Sequence, residues 1–104
     1  MINQLKEMFG LGPKVDYKQL TKEGAIILDV RTKGEYNSGH IKGSVNIPLD
    51  SLSKNLNKLK KDKTIINCCA SGMRSASAKS LLKANGFQST YNGGGWASLK
   101  NKIK

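Results

Sequence analysis

Apolar residues fall along this chain in two rhythms. Ala25-Ile26-Ile27-Leu28-Asp29-Val30 is a continuous apolar run broken only by Asp29, and Ile65-Ile66 sit in a similar run over residues 64–68. Unbroken runs of this length mark strands covered on both faces, as in parallel sheets. Ser44-Val45-Asn46-Ile47, closed by Pro48, and residues 89–92 are two shorter strand candidates. Between them the period lengthens. Asp16 caps a short helix over Tyr17–Lys22, and Thr32-Lys33-Gly34-Glu35 is a Thr-x-x-Glu capping box that opens another. Leu52, Leu56 and Leu59 at i, i+4 and i+7 predict one helix over 49–59. Ala76, Ala78, Leu81 and Leu82 predict a helix over 75–85, stopped by Gly86. A last short helix begins at Trp96, after Gly93-Gly94-Gly95. Strands alternate with helices at spacings too long for hairpins. The pattern predicts an α/β domain, a parallel sheet with helices on both faces.

Length and composition narrow this picture. A chain of 104 residues supports one domain, here over 15–104. Residues 1–14 read as an N-terminal extension or helical turn with Ile2, Leu5, Met8 and Phe9 on one side. Such a turn packs on the body or hangs loose, or else meets a membrane surface or a partner. The content of 38% hydrophobic residues, gathered in clean runs, excludes collagen, coiled coil and disulfide scaffold. No segment approaches the ~20 apolar residues of a membrane span, and the start of the chain lacks the basic and apolar regions of a signal peptide. The two cysteines, Cys68 and Cys69, are adjacent, and a disulfide between neighbours is strained. The expectation is a cytoplasmic, reducing setting and a monomer.

Lys and Arg number 18 against 7 Asp and Glu, a net charge of +11, which favours anionic partners. Tyr17, Tyr36, Tyr91 and Trp96 are scattered without a stacking pattern, so nucleic acid is not expected. Two adjacent cysteines and His40 fall short of a zinc ligand set, so no metal is expected. The basic run over 54–63 reads as a solvated helix face or a docking surface for an acidic acceptor protein.

Chemistry concentrates in Thr64-Ile65-Ile66-Asn67-Cys68-Cys69-Ala70-Ser71-Gly72-Met73-Arg74-Ser75. It reads as a buried strand, a cysteine at its carboxyl end, a short loop with a glycine and an arginine, then a helix start. Open α/β sheets bind ligands beyond the carboxyl ends of their strands. A loop feeding a helix N-terminus aims several main-chain N–H groups at one spot, with the positive end of the helix dipole behind them. A cysteine sulfur there moves toward the nucleophilic thiolate. Spacing then discriminates. Four residues separate Cys69 from Arg74, one fewer than in a Cys-x5-Arg phosphate cradle, whereas counting from Cys68 restores five.

Cys69-Ala70-Ser71-Gly72-Met73-Arg74-Ser75 resembles the active-site loop of single-domain rhodanese-like sulfurtransferases. Ile27-Leu28-Asp29-Val30-Arg31, Glu35-Tyr36 and Gly39-His40-Ile41-Lys42-Gly43-Ser44-Val45-Asn46-Ile47-Pro48 are similar to that family's upstream signature. Asn92-Gly93-Gly94-Gly95-Trp96 is similar to its closing motif. The resemblance implies a rhodanese-like fold, a mainly parallel sheet of about five strands, and persulfide chemistry at Cys69 without a cofactor. The thiolate would take the outer sulfur of a small anionic donor such as thiosulfate, then pass it to cyanide, a thiol or an acceptor protein. Two half-reactions of this kind predict ping-pong kinetics. A sulfur-carrier or redox module using the same loop is the alternative.

The remaining residues take their expected roles from position. Ala70, Ser71, Gly72, Met73, Arg74 and Ser75 form the anion-binding loop around Cys69. Strand alternation turns Cys68 to the core if Cys69 faces the loop, though a redox partnership is also open. Asp29 is expected to accept hydrogen bonds from neighbouring loops. Arg31 is expected either to pair with Glu35 or to steer substrate. The resemblance makes His40 a structural hydrogen-bonding residue rather than a catalytic base.

Overall fold

The computed structural model describes residues 14–104, so the turn expected over 1–14 lies, apart from Lys14, outside the described residues. Four strands form one parallel sheet: β1 (Ile26–Asp29), β2 (Val45–Asn46), β3 (Ile65–Cys69) and β4 (Thr90–Gly95). The order across the sheet is β2-β1-β3-β4. The chain leaves β1 for one edge and returns to β3 on the other side. The crevice between the carboxyl ends of β1 and β3 is therefore the switch point where such sheets bind ligands. The four strands are those marked by the apolar pattern; the fifth implied by the resemblance is not present among the described residues.

Strand alternation divides the core into two layers. Leu28, Val30, Ile65 and Cys69 point to one face and meet Leu52, Leu59, Ala78, Leu82 and Phe87. Ile27, Ile66 and Cys68 point to the other, where Leu99, Ile41 and Trp96 cover them. The helices are α1 (Tyr17–Lys22), α2 (Lys33–Ser38), α3 (Leu49–Leu52), α4 (Met73–Ala84) and α5 (Trp96–Lys102), with a 3-10 turn at Leu56–Lys58. Asp16 caps α1 by accepting from Gln19 N–H, and Thr32 and Glu35 close the capping box of α2.

Three boundaries differ from the sequence expectation, each for a local reason. The single helix over 49–59 is broken into α3 and the 3-10 turn. There Lys54, Asn55 and Lys58 N–H groups bond three residues back, and Asn55 Nδ2 takes the Ser51 carbonyl at 2.7 Å. Leu52 and Leu59 are buried nonetheless. Second, β4 runs on through the glycines to Gly95. The register steps from Asn67↔Asn92 to Cys69↔Gly95, so β4 holds one extra residue, a bulge that places Gly95 opposite Cys69. Third, α4 begins at Met73 rather than at 75, because its first turn is capped by a sulfur, as described below.

Several lysines gather at the amino edge of the sheet, beside Glu23 and Asp62. Lys63 lies beside Gly24, before β1, and Lys61 beside Gly86, before β4. Lys22 and Lys83 occupy the last turns of α1 and α4, which lead into the starts of β1 and β4. The basic end of the 54–63 run thus sits at the amino edge of the sheet. Cys69 is at the opposite end of β3, roughly 13 Å along the strand at about 3.3 Å per residue.

Candidate active site

Cys69 ends β3, and its side chain turns back into the start of α4. The sulfur accepts the Gly72 N–H at 3.0 Å and the Ser75 N–H at 3.4 Å. A helix leaves its first N–H groups without partners, and here no side chain of Gly72 exists to serve them. The sulfur does the capping, so the same geometry that begins the helix surrounds Cys69 with donors. Gly72 holds φ 104°, a left-handed conformation open to glycine at little cost. The Ser75 hydroxyl lies between two acceptors, 3.5 Å from the sulfur and 2.6 Å from Asn92 Oδ1, with one proton to share between them.

Burial pushes the Cys69 thiol up, but the Ser75 hydroxyl and the main-chain N–H groups of Ser75, Ser71 and Gly72 outweigh it and hold the thiol below its ordinary value. Cys68, one residue earlier, points to the opposite layer. Burial first and the Asp29 carboxylate second push its thiol up to about 12. The two neighbours thus differ in direction: one thiol is held below its ordinary value and the other well above it.

Asn92, the first residue of the Asn-Gly-Gly-Gly-Trp run, braces the loop from β4. Its Oδ1 accepts from Ser75 Oγ and Gly94 N–H, and its Nδ2 donates to the Gly72 carbonyl at 3.1 Å. One amide therefore ties β4 to the middle and the far end of the loop. Gly95 completes this support, because a Cβ there would meet the Ala70 carbonyl oxygen at 2.9 Å. The glycine run was the available signal, since glycines inside a strand mark a bulge or a close backbone approach.

The two arginines divide the carboxylates between them. Arg31 is buried and reaches Asp29 through Nε and Nη2, the latter at 2.8 Å, and Asp29 also accepts the Arg31 N–H. The remaining guanidinium donors take the carbonyls of Glu35 and Gly39, and the group stacks over Trp96 at 4.6 Å. Arg31 thus neither pairs with the Glu35 carboxylate nor faces the loop. It fastens α2 to the sheet. Residues i and i+2 of an extended segment share a face, so Asp29 as its partner was legible from spacing. The Asp29 carboxylate accepts its hydrogen bonds from Arg31, two residues on, where donors from neighbouring loops were the expectation.

Arg74 reaches Glu35 on α2 with two parallel hydrogen bonds of 2.7 and 3.0 Å. Glu35 also accepts from the Thr32 N–H and hydroxyl. Arg74 first and the Thr32 N–H second hold its carboxyl at about 2. The pair is about one-third exposed, with side chains at 35% and 37%. His40 is exposed, stacks on Tyr36 at 3.8 Å and donates through Nδ1 to the Tyr36 carbonyl. At the rim, Ala70, Ser71 and Met73 are exposed, Met73 at 80%. A cavity of about 290 Å³ beside Arg74 is lined by Val30, Thr32, Pro48, Leu49 and Asp50. Among the described residues no three of His, Cys, Asp and Glu converge as a metal site would require. No helix among them is long and apolar enough to cross a membrane.

A family model described as Rhodanese-like domain matches residues 14–102. The chain belongs to that family. This rhodanese-like domain is 38% identical over 81 residues to the uncharacterized protein YqhL of Bacillus subtilis (strain 168), covering 77% of this chain and 64% of that one. It is 41% identical over 70 residues to the putative sulfur carrier protein YrkF of the same organism, covering 67% and 38%. The chain therefore spans less than two thirds of either relative. Among solved structures it is similar to a rhodanese-like domain protein from Staphylococcus aureus, with TM-score 0.71, 34% identity and 81% of each chain covered.

Proposed function

We propose that the chain is a sulfurtransferase that carries sulfane sulfur as a persulfide on Cys69. One observation carries the reading. The Cys69 sulfur is the acceptor for two main-chain N–H groups at the start of α4, in a setting that favours the thiolate. With thiosulfate as donor, the thiolate attacks the outer sulfur, the S–S bond breaks, and sulfite leaves with the electron pair. Cys69–S⁻ and S–SO₃²⁻ become Cys69–S–S⁻ and SO₃²⁻. Cyanide then attacks the persulfide's outer sulfur and leaves as thiocyanate, restoring the thiolate. Neither step moves a proton, so no general base is needed, and the exchange of sulfur for sulfur calls for neither metal nor cofactor. The N–H groups serve both states, since each carries one negative charge at the loop.

Arg74 argues against phosphoryl transfer. Its guanidinium is engaged with Glu35 instead of the loop interior, and the loop's donors already close on the sulfur itself. Two free thiols suit a reducing, cytoplasmic setting.

A sulfur-carrier module is the second reading. It is favoured by Met73, an apolar side chain 80% exposed beside the loop, and by the relative named as a putative sulfur carrier. There an acceptor protein would take the sulfur.

The test is intact mass after incubation with thiosulfate and desalting. We expect a gain of one sulfur atom, absent in Cys69→Ser, retained in Cys68→Ser and discharged by cyanide. Loss in Cys68→Ser alone would transfer the chemistry to the other cysteine and reopen the five-residue loop. No adduct from thiosulfate or from a protein persulfide donor would overturn the reading.

A further inference from the structure

The charge around Cys69 is already spoken for. Arg31 and Arg74 are the arginines of the chain, and each is neutralised by a carboxylate. What faces the sulfur is main-chain N–H, together with the Ser75 hydroxyl, whose one proton is shared with Asn92 Oδ1. The donors on the sulfur thus suit one negative charge there, and neither arginine brings an uncompensated positive charge for two more on an incoming molecule.

We propose that Glu35 sets the charge selectivity of the donor site. By occupying the Arg74 guanidinium, it makes the domain favour sulfane-sulfur donors with a single negative charge over dianions such as thiosulfate. The inference rests on the persulfide reading of Cys69 and specifies its substrate class. Attack by the thiolate on thiosulfate brings three negative charges together. Attack on a thiosulfonate, R–SO₂–S⁻, brings two. In the latter, the S–S bond breaks with its electron pair on the sulfinate, giving Cys69–S–S⁻ and R–SO₂⁻. Glu35 acts through Arg74 and is a positioning residue. Its hold is permanent near neutral pH, because the carboxyl stays ionised far below that range.

The experiment compares kcat/KM for thiosulfate and for methanethiosulfonate, which replaces one anionic oxygen by a methyl group and keeps nearly the same shape. The ratio of the two is read, so that any loss common to both donors cancels. Glu35→Gln preserves the residue type of the capping box while removing the charge. We expect it to raise the thiosulfate-to-methanethiosulfonate ratio roughly tenfold, chiefly through KM, as Arg74 becomes free to meet the dianion. Adding Arg74→Gln should return the ratio toward its starting value, closing a double-mutant cycle. Arg74→Gln alone should lower the ratio, because Glu35 is then an uncompensated carboxylate at the mouth. This variant decides the matter if Glu35→Gln does not fold. A ratio that stays within about twofold in the folded variants, with persulfide still forming on Cys69, overturns the role of Glu35 and leaves the persulfide reading intact. Absence of a sulfur adduct from either donor on any variant overturns both.

Discussion

Cys68 and Cys69 share a peptide bond and differ in almost everything else. Around Cys69 are the first N–H groups of α4, the Ser75 hydroxyl and the Asn92 amide behind it. Around Cys68 are Ile66 and Leu99 of the opposite layer, with the Asp29–Arg31 pair close by. Both side chains are almost fully buried, so exposure does not separate them. The difference lies in what fills the space. One layer places donors against the sulfur, the other apolar surface and a carboxylate. Reactivity here is a property of the layer a strand residue faces, and one step along β3 is enough to reverse it.

The largest test of this contrast is alkylation. With iodoacetamide near neutral pH, followed by peptide mass analysis, Cys69 should react at least about 100-fold faster than Cys68. Its rate should rise with pH to a midpoint below that of an ordinary thiol. Labelling of Cys68 should track unfolding. Comparable rates at the two positions would break the comparison.

A smaller effect sharpens it. Ser75→Ala removes the hydroxyl but keeps the main-chain N–H groups. It should move the Cys69 midpoint upward and slow persulfide loading at neutral pH roughly threefold to tenfold. The slowing should disappear in alkali, where either variant is thiolate. A pH-independent loss would mean that Ser75 only shapes the loop.

A third effect concerns stability on the Cys68 side, and it shows only in alkali. The native thiol is held up at about 12, against roughly 8.5 in an unfolded chain. Between these values the unfolded state binds fewer protons, so stability present below that window is lost as pH rises through it. Denaturant titrations should show an alkaline decline that is flatter in Cys68→Ala. An identical decline would mean that Cys68 ionises freely in the native state.

Much of this was legible in the chain, and the reasons are local. The parallel sheet follows from unbroken apolar runs, and Cys69 from a cysteine between such a run and a glycine-containing loop. The α1 and α2 caps follow from Asp16 and from Thr32 with Glu35, because partners three residues apart leave a signature in sequence. The misplaced features depend on distance or on competition. Arg74 meets Glu35 across 39 positions, and Ser75 meets Asn92 across 17; no short-range pattern reports such pairs. The leucine spacing over 49–59 was a true reading of burial and a false one of helix length, because Asn55 bonds the Ser51 carbonyl and closes the turn early. The Asn67 amide leaves no local signal in the sequence. It is buried in β3 and spans to Thr90 and Tyr91, a polar brace inside what looked like a uniformly apolar strand.

The lysines at the amino edge of the sheet have a consequence for how the molecule sits in an electric field. Lys61 and Lys63 gather at the edge remote from Cys69, with Lys22 and Lys83 at the helix ends leading there. Both arginines near the carboxyl edge are matched by carboxylates. Glu23 and Asp62 stand at the same edge beside Lys63, so the four lysines there are only partly offset. Near an anionic matrix such as a cation-exchange resin this edge is a contact surface, and a molecule held by it keeps Cys69, at the opposite end of β3, turned to the bulk.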